Sequence, residues 1–391
     1  MEPGPVGDPS RVVAHDEFDA LLRRMPKAEL HLHLDGSLRP ATALELARER
    51  GIDEGMDLAA MRARLMGPTR SRDQAELLRA FDLPVSLMQD AEALRRVTSD
   101  LVEDVADDGT RYVEIRWAPG LHLRRGLGLV DSIAAVVAGA RDGVAAAEGE
   151  AAEGGTDAAP ETQDPGGPAT VRHRLPRVTV RLIAVAMRSH DPQVNARVAE
   201  AAARFAAQGL TGFDLAGPEA AYPDPLVHAR AIAVAREGGL GITVHAGEWG
   251  GAAQVRRALA LDPARIAHGA PAIEDPALVV ELCRRCVTLD LCPTSNVQAA
   301  VVSRLADHPL PRLLRAGVPV SLSTDDRTVS DMTLVREYRQ ATDVLGLSIQ
   351  ELWTMDRHAL EVAFLADDEP LRTALLATFD TFAAAEPLLR T

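Results

Sequence analysis

Eight short strand-like runs alternate with helix-like stretches along this 391-residue chain, and that alternation constrains the fold more than any other feature. The runs are Ala28–Leu34, Tyr112–Ala118, Val178–Ala186, Gly212–Ala216, Gly241–His245, Arg265–His268, Val287–Leu291 and Val318–Thr324. Amphipathic stretches such as Ala91–Val105, Gln193–Gln208, Pro225–Glu237 and Pro276–Arg285 separate them. Pro40 fits the first turn of a helix over Ala41–Arg50. Eight strand–helix units predict an α/β fold, a TIM-type (β/α)8 barrel, whose working residues sit at the C-terminal strand ends. The polar residues that stand out lie at such ends: His31, His33, Gly217, His245, Glu248, His268, Asp325 and Asp326. Random placement would scatter them over helices as well.

The first run carries the sharpest chemistry. Glu29-Leu30-His31-Leu32-His33-Leu34-Asp35-Gly36 alternates polar and apolar residues. A strand has a side-chain period of two, so His31 and His33 project from one face and the leucines from the other. Gly36 ends the strand and permits a turn. Two neutral imidazoles side by side make half of a zinc site. His245 and Asp325 would complete three nitrogens and one carboxylate oxygen, a set that suits zinc.

Net charge is −15, from 42 basic and 57 acidic residues, which argues against nucleic acid and against an anionic membrane as partners. No run approaches the roughly 18 to 20 apolar residues of a membrane span. Met1–Ser10 lacks the basic and apolar regions of a signal peptide, so the cytoplasm is the expected compartment. Three cysteines form no disulfide framework. Cys283 and Cys286 make a lone CxxC on a helix-like stretch and read as partly buried helix cysteines.

Residues 1–15 read as a flexible tail, and 16–391 as a single barrel domain. Within it, 145–171 contains no large apolar residue and no lysine or arginine. It cannot bury a core, so it reads as a disordered acidic insertion in a surface loop. The stretch from Pro40 to Asp108 exceeds a normal crossover and predicts extra helices that cover part of the site.

Taken together, Pro26–Ser37, Tyr112–Arg116, Asp214–Gly217, His245–Glu248, His268-Gly269, Cys292–Asn296 and Ser323–Asp326 resemble the signatures of the adenosine deaminase family of zinc amidohydrolases, in order. The resemblance implies zinc-dependent hydrolytic deamination of adenosine and 2′-deoxyadenosine at C6, giving inosine and ammonia in purine salvage. It implies one zinc per subunit on His31, His33, His245 and Asp325. It implies that Glu248 donates a proton to purine N1 and that His268 helps deprotonate the attacking water. It further implies that Asp326 contacts N7, that Gly217 lines the base through its backbone, and that Asp35 contacts the ribose 5′-hydroxyl. His33 borders that substrate side as well. The expected partner is a small purine nucleoside.

The residue chemistry agrees. Zinc lowers the pKa of a bound water to about 7, and a nearby acid with a raised pKa activates the purine ring. Three departures from the family pattern concern the pocket rim: Pro218 where an acid is usual, Arg327 where proline is common, and Ala270 where larger residues are usual. Adenine, or a modified or 5′-substituted adenosine, is the alternative substrate, and a non-catalytic barrel binding protein is a further one. Adenine deaminases usually carry Glu where Asp35 stands. A deaminase of the other zinc fold would show HxE with PCxxC, which this chain lacks. A two-metal amidohydrolase would usually bridge its metals with a carboxylated lysine; the sole lysine, Lys27, lies at the wrong end of the first strand, so a single metal is favoured.

Overall fold

The computed structural model describes residues 9–153, 175–365 and 368–390. Eight strands form one parallel sheet in sequential order. They are β1 (Lys27–His33), β2 (Thr110–Trp117), β3 (Thr179–Met187), β4 (Leu210–Ala216), β5 (Gly241–Ala246), β6 (Arg265–His268), β7 (Thr288–Leu291) and β8 (Val320–Leu322). Each coincides with one of the eight expected runs, shifted by at most two residues at most ends. The last shrinks to its central three residues.

The ring closes just past β8. The His33 N–H donates to the Asp325 carbonyl at 2.7 Å, and the Asp325 N–H donates to the His31 carbonyl at 3.1 Å. Asp325 therefore joins β1 as a parallel bridge opposite Leu32. Along β1 the alternation works as expected: Leu30, Leu32 and Leu34 are fully buried on one side, and His31 is fully buried on the other.

The barrel interior is not the usual stack of Val, Ile and Leu. Arg116 pairs with Asp214 at 2.9 Å, and Arg265 pairs with Asp290 at 3.2 Å and with Glu114. All five are completely buried. Tyr112 donates to Glu114, and Ser321 donates to Asp290. Buried charges are tolerated only when paired and hydrogen-bonded, and here each ion has such a partner.

The segment after β1 does hold extra helices: Pro40–Glu49, Leu58–Leu65, Gln74–Leu78 and Asp82–Leu87 precede the crossover helix Ala91–Asp107. Two boundaries differ from expectation. A helix spans Pro9–Arg24, so residues 9–15 are helical rather than tail, while 1–8 lie outside the described residues. A second helix runs Leu129–Glu153 and takes in residues 145–153, the start of the expected insertion. That stretch is rich in alanine, the strongest helix former, and Ala147 is buried. Residues 154–171 lie outside the described residues. No described helix is long and apolar enough to cross a membrane.

Candidate active site

The C-terminal strand ends bring the expected residues together. From β1, His31 Nε2 lies 3.2 Å from His33 Nε2. His33 Nε2 lies 3.2 Å from His245 Nε2, at the end of β5. Asp325 Oδ1 lies 3.0 Å from His31 Nε2 and 3.4 Å from His33 Nε2. Ligands about 2.0–2.1 Å from a tetrahedral centre stand about 3.3 Å apart, so these four separations match edges of a zinc-sized tetrahedron. His268 is also close, since one ligand atom from each of His31, His245, His268 and Asp325 falls within a 4.8 Å group. Its Nε2 stands 3.8 Å from Asp325 Oδ2 and 3.9 Å from Glu248 Oε1, farther than the 3.0–3.4 Å separations found among His31, His33, His245 and Asp325.

Protonation favours ligation. Burial, and then the Arg116 charge, hold the His31 imidazole well below its usual range. Burial brings His33 down to about 3. Both rings are thus neutral and offer lone pairs. Burial works to raise Asp214, but His245 and Arg116 outweigh it and hold the carboxylate ionised. Asp214 Oδ2 lies 2.8 Å from His245 Nδ1, which turns His245 Nε2 toward the cluster. Asp325 is likewise oriented, accepting from Ser295 Oγ at 2.6 Å.

Two of these residues occupy strained backbone. His268 and Asp325 both have φ of 67°, in the left-handed region. That conformation costs a non-glycine residue of order 1–3 kcal/mol and persists only where the surroundings impose it. For Asp325 the imposing contacts are its two backbone bonds to β1.

Burial and neighbouring carboxylates raise the acids around the cluster. Burial, then Asp325 and Glu219, push Glu248 well above the usual carboxylate range. Burial, then Asp325, Asp35 and Glu248, do the same to Asp326. Burial raises Asp35 to about 6. Asp35 Oδ1 stands 3.9 Å from His33 Nδ1. Asp326 fits only because residue 36 is glycine: a Cβ there would lie 1.7 Å from Asp326 Oδ1. Asp35 Oδ1, Asp326 Oδ1 and Trp249 Nε1 are buried without partners. Such atoms cost about 1–3 kcal/mol each, a cost that a bound polar ligand removes. Gly217, with φ of 103°, ends β4, and its carbonyl accepts from Gln74 Nε2 at 3.3 Å. The helical segment after β1 thus reaches the site through Gln74.

Sequence reasoning missed several supporting residues. Glu219 accepts from the Gly247 N–H at 2.8 Å and the Trp249 N–H at 2.9 Å, clamping the loop on both sides of Glu248. The acid sought at position 218 stands one residue later, behind Pro218, and that spacing was the available signal. Arg188 donates to the His245 carbonyl at 2.9 Å. Arg327 is nearly buried and lies 3.3 Å from Asp108. Ala270 is fully buried.

Comparison with known proteins places this geometry in context. The family model described as Adenosine deaminase matches residues 26–381. An adenosine deaminase of Enterococcus faecalis is 33% identical over 351 residues, covering 90% of this chain and 95% of that protein. An adenosine deaminase of Mycobacteroides abscessus is 36% identical over 364 residues, covering 90% and 93%. Among solved structures, the adenine deaminase of Arthrobacter aurescens aligns with a TM-score of 0.75 at 27% identity, covering 92% of this chain and 99% of that one. An N6-mAMP deaminase of Arabidopsis aligns with a TM-score of 0.75 at 27% identity, covering 93% and 99%.

Proposed function

The chain belongs to the adenosine deaminase family, and from that premise we propose that it hydrolyses adenosine and 2′-deoxyadenosine at C6 to inosine and ammonia, using one zinc ion. The observation that carries the zinc assignment is the set of 3.0–3.4 Å separations among the ligand atoms of His31, His33, His245 and Asp325. Those four residues would hold the metal, which when bound supplies a Lewis acid that makes water nucleophilic near neutral pH.

The chain's own residues do the rest. Glu248, kept protonated by burial and by neighbouring carboxylates, gives its proton to purine N1 and makes C6 electrophilic. Burial and neighbouring carboxylates raise Asp326 too, which favours the acid form that can donate a hydrogen bond to N7, an atom that only accepts. Gly217 lines the base through its backbone. His268, with Nε2 3.8 Å from Asp325 Oδ2, would contact the attacking water. Asp35, mostly ionised at pH 7 with its pKa near 6, accepts from the ribose 5′-hydroxyl.

This arrangement favours a nucleoside over a 5′-nucleotide. Asp35, mostly ionised at pH 7, would repel a 5′-phosphate where it accepts from a 5′-hydroxyl. Ammonia release from adenosine, 2′-deoxyadenosine, adenine and AMP tests the reading. Turnover of both nucleosides well above adenine and AMP is expected. Faster turnover of adenine or AMP would contradict the substrate assignment.

A further inference from the structure

We propose that His308 and Asn296 are positioning residues that lock His268 in a single tautomer, with its Nε2–H turned toward the reacting oxygen. The inference rests on the deaminase reading above only for what that oxygen is. The tautomer follows from hydrogen bonding alone.

The chain of bonds begins at a donor whose direction is beyond choice. The Leu310 backbone N–H donates to His308 Nδ1 at 3.2 Å. That nitrogen must be unprotonated to accept, so the neutral ring carries its hydrogen on Nε2. His308 Nε2 lies 3.0 Å from Asn296 Oδ1 and donates to it. The Asn296 Nδ2 group then faces His268 Nδ1 at 3.2 Å. An amide nitrogen only donates, so His268 Nδ1 is the acceptor and is bare. An imidazole bare at Nδ1 holds its hydrogen on Nε2.

Flipping the Asn296 amide does not rescue the other tautomer. It would turn an N–H of Asn296 on His308 Nε2, while Leu310 already donates to His308 Nδ1. His308 would have to accept at both nitrogens, as an imidazolate, which does not form near neutral pH. Asn296, His308 and His268 are all buried, so water offers no alternative partners.

The consequence is directional. His268 Nε2 sits 3.8 Å from Asp325 Oδ2 and 3.9 Å from Glu248 Oε1, so its hydrogen points into the space between these carboxylates. An oxygen there receives a hydrogen bond from His268. The ring has no lone pair on that side with which to remove a proton. His268 therefore orients and stabilises the attacking oxygen, and the base role implied by family resemblance does not fall to it; a water acidified by the metal would lose its proton to solvent before attack.

The test uses the full-length, zinc-loaded protein labelled with 15N-histidine, with His268 assigned by its loss in His268→Gln. A protonated-type shift at Nε2 and a bare-type shift at Nδ1 are expected for His268. The reverse pattern overturns the proposal, whatever any variant does. Asn296→Asp turns the relay round, because a carboxylate accepts from both rings. At about pH 9 the His268 ring is neutral in that variant and its hydrogen moves to Nδ1. There kcat should fall about 10²-fold below wild type at the same pH, as when one oxyanion donor is removed, with KM unchanged. A kcat at or above wild type would mean that a bare Nε2 serves better, and overturns the donor role. Wild-type protein with the expected tautomer but no ammonia release from any purine would sink the deaminase reading and leave the relay standing.

Discussion

Gly36→Ala is the substitution whose effect the geometry specifies most closely. The added methyl would lie 1.7 Å from Asp326 Oδ1, 2.3 Å from its Cγ and 2.7 Å from its Cβ. Non-bonded contacts settle near 3.5 Å, so the Asp326 carboxylate must retreat by roughly 1.8 Å. Rotation of the side chain is insufficient, because the Asp326 Cβ is also too close. The turn at residue 36 cannot simply slide away either, since its carbonyl accepts from the Thr328 and Val329 N–H groups at 3.0 and 3.1 Å. Overpacking of this kind costs about 1–3 kcal/mol of stability. A reacting group misplaced by about 1 Å costs about 10²-fold, so kcat/KM for adenosine should drop by about that factor, or about 2.7 kcal/mol of transition-state binding. The metal should stay, because Asp325 is tied to His31 and His33 by backbone bonds that precede the turn. The assay is ammonia-release kinetics alongside metal analysis and thermal unfolding. A variant with kcat/KM within roughly threefold of wild type would refute the claim that Gly36 exists to admit Asp326.

The remaining predictions concern the metal, the acid, the clamp and the sugar contact. Purified protein should hold about one zinc per chain, and His31→Ala or Asp325→Ala should lose both metal and thermal stability, because metal binding energy is partly folding energy; two zinc equivalents by elemental analysis would contradict the four-ligand site. Glu248→Gln should keep zinc and fold but lose about 10²–10⁴ in kcat, since an amide cannot transfer a proton to N1; near wild-type turnover would move the acid elsewhere. Glu219→Gln accepts only one of the Gly247 and Trp249 N–H groups and opposes the other with its own NH2, so unfolding free energy should fall by about 1.5–3 kcal/mol. Denaturant melts that superimpose on wild type would show that the clamp is idle. Asp35→Ala should weaken adenosine turnover and leave free adenine little changed, and an unaltered kcat/KM for adenosine would remove the sugar contact.

Much of this protein could be read from local pattern. Side-chain period two marks His31 and His33 as neighbours on one face, and strand-then-turn punctuation locates all eight strands and their functional ends. Those features depend on residues within a few positions of one another, which is the range over which periodicity and turn chemistry act. The spacing of ligands, acids and glycines was legible because each sits at a strand end. The 145–153 stretch misled because lack of large apolar residues signals disorder only where helix propensity is also weak, and alanine has the strongest propensity of all.

What only the tertiary structure decided involves partners far apart in sequence. Arg116 meets Asp214 across 98 residues, Arg265 meets Glu114 across 151, and Glu29 receives the Thr324 N–H across 295. Nothing local distinguishes these inward charges from surface ones until closure of the ring turns them on each other and removes water. Closure also makes Asp325 a backbone partner of β1, forcing its left-handed φ and carrying its carboxylate onto the two histidines. The Glu219 clamp and the His308–Asn296–His268 relay arise in the same way, from strand ends, loops and a short helix that meet only at the rim of a closed barrel. The chain's local chemistry thus determines which residues are available at each strand end. Their distances, protonation and tautomers depend on burial and long-range pairing, which exist only once the barrel is closed.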